Sequence, residues 1–337
     1  MRLVILTKRT RAHGFGGVES HAESFALTAA ALGHEPLVLA TAHPTSCARE
    51  AWRGVAVEYL AGTEPGVDSP AWWRRSASAV GDLIGLGRCD VVFSTNLSGY
   101  GVARAALPVP HYVFSTGRVL SHLVSEWHDR TGARRLAYPK HALALLYYAH
   151  VERRLYRRAT AILAEDDALH ASLRARGWPS RLFYAGIDPR RFQGSPEART
   201  RTRAALGIPA DARVLLMVAT VNRQKGIWLG VRAFESLAAV DRGLHLVVVG
   251  DGPDRARLAG ELASAPCGRR AHFVGAVPPE AMESQYAAAD LLLYPTLRIE
   301  GIPRAILEAM AAGLAVIASD RGGVRSAVQD GVTGLLL

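Results

Sequence analysis

Residues 295–323 read PTLRIEGIPRAILEAMAAGLAVIASDRGG. Just before them, DLLLYP (290–295) is a continuous apolar run that stops at Pro295. A polar loop follows, and a helix begins near Pro303, whose fixed φ and missing N–H suit a first helical turn. Apolar positions at three-to-four spacing in RAILEAM carry the helix toward Gly313, a stop signal. AVIAS (315–319) then opens another strand. Strand, loop, helix and strand make one βαβ unit of a parallel sheet. The loop delivers the exposed amides of residues 301–304 to the strand ends, where a helix start favours anions. Glu300 precedes the helix and Glu308 lies inside it, so one rigid element carries both. A carboxylate accepts well from paired sugar or ribose hydroxyls. By spacing alone, the two residues read more simply as a loop charge and a helix-face charge.

The same alternation runs through the chain. LVILT (3–7), PLVLAT (36–41), DVVFST (90–95), HYVFST (111–116), AILA (161–164) and RLFYAG (181–186) read as strands of a first half. VLLMVAT (214–220), HLVVVGD (245–251) and HFVGA (272–276) join the two runs above in a second half. Continuous rather than alternating apolar strands suit a parallel sheet covered on both faces. Amphipathic helices lie between, and Gly33 and Gly177 follow two of them. Between 188 and 210 the chain turns polar and charged, and a fresh strand restarts the pattern. The expected organisation is two Rossmann-like, doubly wound α/β domains, 1–188 and 189–337.

Composition narrows the function classes. With 337 residues and 49% hydrophobic content, the chain can bury two cores. No apolar run reaches the roughly 18–20 residues of a membrane span. The opening MRLVILTKRT reads as a first buried strand, not as a cleaved leader. Cys47, Cys89 and Cys267 are odd in number and widely spaced, which fits neither a disulfide framework nor a zinc site. The expected setting is a reducing cytoplasm. The net charge is +10, yet only Lys8, Lys140 and Lys225 of the forty basic residues are lysines. No nucleic-acid-binding motif accompanies that charge, so nucleic acid is not an expected partner. RRLAYPKHALALLYYAHVERRLYRRA (134–159) is basic and aromatic. It reads as a helix packed on the first domain with Tyr147, Tyr148 and Leu155 inward, or as a peripheral contact with an anionic membrane. WWRR (72–75) is read the same two ways.

Glycines also mark the N-terminal loop, KRTRAHGFGGVESH. It follows the first strand and so lies at the carboxyl edge of that sheet. Gly14, Gly16 and Gly17 admit close backbone approach, and a helix starts near Val18. Lys8, Arg9, Arg11 and His13 fit an anionic acceptor or a solvated basic loop, with His21 nearby on the first helix.

Taken together, these segments resemble glycosyltransferase family 4. EGIPRAILEAM is similar to the family's E-x7-E motif. GGVESHAESFALTAAALGHE resembles its N-terminal glycine loop and first helix, and YAGIDPRRF its interdomain segment. NRQKG resembles its diphosphate loop, and VVVGDGP, FVGAV and GVRSAVQDGVTGLL match further signatures in the family's order. The resemblance implies a GT-B architecture, with two domains facing across a cleft, and a retaining transferase that uses a nucleoside-diphosphate sugar, UDP-sugar favoured. It implies that Glu308 binds the donor ribose and Glu300 the transferred hexose. Backbone groups at Gly301, Ile302, Pro303 and Arg304 would hold sugar and phosphate, with Gly16 and Gly17 beside the diphosphate. Lys225 would neutralise the leaving group. Arg11, His13 and His21 would lie on the acceptor side, toward a glycan, lipid-linked or small-molecule acceptor.

Three departures from the family pattern stand out. Thr220 occupies the position of a basic residue five before the lysine, and Arg223 is the expected substitute. Thr116 stands where many relatives place a histidine, with His122 six residues on. After GVTGLLL relatives continue with further helices, so the chain reads as shortened at its C-terminal end. A non-catalytic sugar-nucleotide or glycan binder and a GT-B-fold epimerase are the alternative readings. VVVGDGPDRARL lacks the third glycine and the distal acid of a dinucleotide fingerprint. No Asp-x-Asp pair occurs, so no metal and no cofactor are expected. The expected location is cytoplasmic, extending to the inner membrane face.

Overall fold

The computed structural model describes residues 1–14, 17–121 and 138–337, the side chains of Val18 and of residues 138–141 excepted. Packing divides these residues into two units, the first ending at Ala185 and the second running from Gly186 to Leu337. The break comes three residues before the expected 188/189 boundary. The cause is visible in YAGIDPRRF, since Phe192 is buried in the second unit's core and Ile187 packs against it.

In the first unit an eight-stranded sheet has the order β3-β4-β2-β1-β5-β6-β7-β8. Its strands are β1 (Arg2–Thr7), β2 (Glu35–Thr41), β3 (Arg49–Trp52), β4 (Val55–Leu60), β5 (Val91–Thr95), β6 (His111–Ser115), β7 (Ala161–Ala164) and β8 (Ser180–Leu182). Alternate residues of β1 serve opposite faces. Val4 and Leu6 join a core with Trp72, Trp73, Leu155 and Ile162, whereas Leu3 and Ile5 join one with Ala26, Val38, Phe93 and Phe114. That two-sided burial is why the run is continuously apolar. Trp72 and Trp73 are therefore core residues, and WWRR offers no tryptophan to a membrane.

Two strands of this sheet escaped the sequence reading. VAVEYL of β4 alternates buried and exposed residues, and β3 pairs with it antiparallel through a two-residue turn at Arg53–Gly54. At the sheet edge one face is wet, so the pattern has period two and a search for continuous runs passes over it.

The second unit holds a six-stranded, wholly parallel sheet of order β11-β10-β9-β12-β13-β14. Its strands are β9 (Arg213–Val218), β10 (Leu244–Val249), β11 (Ala271–Gly275), β12 (Leu291–Tyr294), β13 (Ala315–Ala318) and the two-residue β14 (Leu335–Leu336). Val214, Leu216, Val247 and Val249 face one core, and Met217, Leu246 and Val248 face the other. Leu216 is fully buried, and truncating it to alanine should cost about 2–5 kcal/mol. Among the described residues no helix is long and apolar enough to cross a membrane.

Candidate functional site

β12 ends at Tyr294, and the helix Arg304–Ala311 begins after a nine-residue loop, with Pro303 at its N-cap position. Two contacts fix that loop. Gly226 adopts φ +65, and a Cβ there would lie 1.8 Å from the Pro295 carbonyl oxygen. The lysine-bearing loop can therefore press directly on the β12 loop, and the Leu297 amide donates to the Gln224 carbonyl at 2.8 Å. From the other side, Gly322 adopts φ +49, where a Cβ would sit 2.4 Å from the Glu300 carbonyl oxygen. The Gly323 amide donates to that same oxygen at 2.8 Å. The GG turn thus holds Glu300 from behind.

On this frame the two glutamates are built alike. Glu300 accepts from the Tyr294 hydroxyl at 2.8 Å and the Thr296 hydroxyl at 3.1 Å on Oε1, while the Lys225 ammonium ion-pairs with Oε2. Glu308 accepts from the Tyr286 hydroxyl at 2.9 Å on Oε2, and Arg304 Nε lies 3.5 Å from Oε1. Each carboxylate has one buried phenol and one cation. Their pKa values nevertheless shift in opposite directions. Burial pushes Glu300 up, but Lys225 and the hydroxyl donors outweigh it and hold the carboxyl below its ordinary value. At Glu308 burial wins over Arg304 and Tyr286, and the carboxyl sits above its ordinary value. A compact ammonium in direct contact stabilises a carboxylate more than a guanidinium at 3.5 Å does.

Lys225 itself is oriented by its own loop. Its amide donates to Asn222 Oδ1 at 2.9 Å, and its ammonium lies 3.3 Å from the Tyr294 hydroxyl. Only 16% of its side-chain surface is exposed, so the charge is partly desolvated and effective at short range. The Gly301 and Ile302 amides meet no acceptor among the described residues, in line with an anion-binding turn. Arg223 does not join the cluster. Its guanidinium lies 5.3 Å over the Trp228 ring, and among the described residues it pairs with neither glutamate. Tyr294, Tyr286, Thr296 and Asn222 were missed from sequence. The available signal was Tyr294, an aromatic with a polar tip closing a buried strand.

The first unit treats its basic loop differently. Arg9 Nε pairs with Glu19 at 2.8 Å, Lys8 with the buried Asp68 at 3.3 Å, and Arg11 with Glu23. His21 Nε2 lies 3.2 Å from the buried Glu165, its ring edge-on to Phe114. His13 Nδ1 accepts from the Thr10 amide at 3.1 Å, and Nε2 meets the Ala42 carbonyl at 2.9 Å. Burial lowers its pKa, so the neutral ring serves as a fastener within the loop. Gly17 opens the first helix, Gly17–Ala31, whereas Gly16 and His122 lie outside the described residues. Thr116 is bonded to Asn96 Oδ1 through its amide at 3.2 Å and its hydroxyl at 3.3 Å.

Comparison with known proteins fits this geometry. Residues 15–191 match the family model described as Glycosyltransferase Family 4, and residues 198–337 match Glycosyl transferases group 1. The chain belongs to glycosyltransferase family 4. A lipopolysaccharide 1,2-N-acetylglucosaminetransferase of Salmonella typhimurium is 36% identical over 157 residues, covering 44% of this chain and 40% of that protein. The family 4 chain thus aligns with less than half of that relative's length. Sucrose-phosphate synthase from Thermosynechococcus elongatus superposes with TM-score 0.80 at 20% identity, covering 99% of this chain and 85% of the other. Anabaena HepE in complex with UDP-glucose gives TM-score 0.73 at 20% identity, with coverage of 99% and 85%. At such identities the likeness concerns the fold, two Rossmann-like α/β units of the GT-B class.

Proposed function

We propose that this family 4 chain is a retaining glycosyltransferase. It moves a hexose-type sugar from a nucleoside diphosphate, UDP favoured, to a hydroxyl of a glycan, a lipid-linked glycan or a small molecule. The observation that carries the reading is the largely buried Lys225–Glu300–Tyr294 cluster, whose Glu300 sits on the loop that also presents the Gly301 and Ile302 amides. Its support from relatives is that one matched protein transfers N-acetylglucosamine and a structural neighbour holds UDP-glucose.

In this mechanism the anomeric carbon–oxygen bond breaks and its electron pair passes to the leaving diphosphate. The acceptor oxygen bonds to the same face of the sugar, and its proton passes to the departing phosphate oxygen. Negative charge grows on the diphosphate as the reaction proceeds, so Lys225 and the helix-start amides stabilise the transition state more than the ground state. Glu300, kept ionised by Lys225, accepts from sugar hydroxyls and orients the hexose. Glu308 accepts from the ribose. No metal is needed to neutralise the leaving group in this scheme.

The test is transfer from α-configured UDP-, GDP-, ADP- and dTDP-sugars to glycan acceptors, with product configuration read by proton NMR. One donor series should give an α-linked product at a rate unchanged by EDTA. A β-linked product would exclude retention. Hydrolysis and transfer both absent with every donor would favour the non-catalytic reading.

A further inference from the structure

The helix Tyr138–Arg158 of the first unit has one side that packs inward and one whose side chains are exposed among the described residues. Val151, Leu155 and Tyr156 are buried in the core, and the Tyr148 hydroxyl donates to the Asp68 carbonyl at 3.1 Å. Tyr147 is not inward as the sequence reading expected. It is 50% exposed, next to Leu143 at 72% and Leu146 at 56%. Positions 143, 147, 150, 154 and 157 advance by alternating steps of four and three, so they form one stripe about 20 Å long. The stripe is apolar at Leu143 and Tyr147 and basic at Arg154 and Arg157, flanked by Leu146 and Arg153. These three arginines are exposed and have no ion-pair partner among the described residues. The helix contains a single acidic residue, Glu152, which is turned inward at 1% exposure and accepts from the Val119 amide at 2.8 Å. The outward face therefore carries apolar and positive groups and no negative one.

We propose that this face docks the protein on an anionic phospholipid bilayer, with Leu143, Leu146 and Tyr147 entering the headgroup–acyl boundary and Arg153, Arg154 and Arg157 meeting lipid phosphates. An unpaired arginine cluster beside exposed leucines fits a surface that is both apolar and negative, which a bilayer interface provides. Tyrosine suits the boundary because its ring is apolar and its hydroxyl wet. The proposal is independent of the transferase reading, since it concerns a helix that carries none of the proposed donor-site residues.

Flotation with phosphatidylcholine vesicles, with and without phosphatidylglycerol, tests it. Wild type should float with the phosphatidylglycerol vesicles, more weakly at high salt, and not with phosphatidylcholine alone. The variant Arg153→Gln/Arg154→Gln/Arg157→Gln should bind about a hundredfold more weakly. Leu143→Gln/Leu146→Gln, which leaves the charge intact, should bind about tenfold more weakly. All these side chains are exposed, so both variants should melt with wild type. Three results would overturn the proposal: no binding of wild type to the anionic vesicles, leucine variants that bind like wild type, or a wild-type dimer that the leucine substitutions dissociate.

Discussion

In the first unit, basic side chains after β1 pair one by one with carboxylates: Lys8 with Asp68, Arg9 with Glu19 and Arg11 with Glu23, while on the first helix His21 Nε2 lies beside Glu165. In the second unit Lys225, Tyr294 and Thr296 converge on Glu300, while Tyr286 and Arg304 converge on Glu308. The two arrangements begin from the same architecture, a loop at the carboxyl edge of a parallel sheet. Pairwise pairing fastens a loop and neutralises it. Convergence on two carboxylates, joined by a cation and exposed amides, leaves acceptors and charge arranged for a ligand. Polar substitutions in the first unit should therefore be read mainly in stability, and those in the second mainly in turnover.

The largest effect expected is at Lys225. Lys225→Ala should lower kcat by about 10²–10³-fold in steady-state transfer, with a smaller change in the donor KM. The same variant removes the cation that depresses Glu300. A lowered carboxyl stabilises the fold above its ordinary value of 4.5 and loses that contribution as pH falls, so Lys225→Ala should be less stable at neutral pH and lose less stability on acidification in pH-dependent denaturant titrations. Unchanged kcat would break the comparison.

Next in size is a first-unit effect. His111 is buried, accepts or donates at 2.8 Å with the Ser94 hydroxyl, and burial lowers its pKa to about 4. The unfolded chain takes up the proton first, so stability is full above pH 6.5 and about 3 kcal/mol is lost as pH falls to about 4. His111→Gln should flatten that slope in pH-dependent denaturant titrations and leave kcat unchanged. His245 and His272, hydrogen-bonded across β10 and β11 at 3.2 Å and also lowered by burial, add losses of the same sign in the second unit.

Much of this was legible in the sequence, and the gaps have physical causes. Continuous apolar runs marked the two-sided strands, because burial on both faces removes the polar alternation. β3 and β4 were missed because an edge strand restores it. Glu300, Glu308 and Lys225 stood out through their resemblance to the family's E-x7-E motif and diphosphate loop, and through the rarity of lysine. Their phenolic partners did not, since Tyr286 and Tyr294 meet the glutamates through tertiary packing that no local spacing records. Arg223 shows the converse: proximity in sequence to Lys225 suggested a shared role, and the backbone instead turns it toward Trp228.

A smaller effect is expected at those phenols. Tyr286→Phe removes one hydrogen bond to Glu308 and should raise the donor KM by about tenfold, with kcat little changed. The smallest is at Arg11, whose side chain is 35% exposed in its pair with Glu23. Arg11→Gln should cost under about 1 kcal/mol in stability and alter transfer less than about threefold. A tenfold rise in acceptor KM would instead assign that arginine to acceptor binding and blur the contrast between the units.

The most direct measurement is thermal stabilisation of wild type and Glu308→Gln by UDP-, GDP-, ADP- and dTDP-sugars. One nucleotide series, at about 100 times its dissociation constant, should stabilise wild type by about 2.7 kcal/mol, and Glu308→Gln should lose most of that gain. A variant that responds like wild type, or a wild type that responds to none of the four, would contradict a donor site built on Glu308.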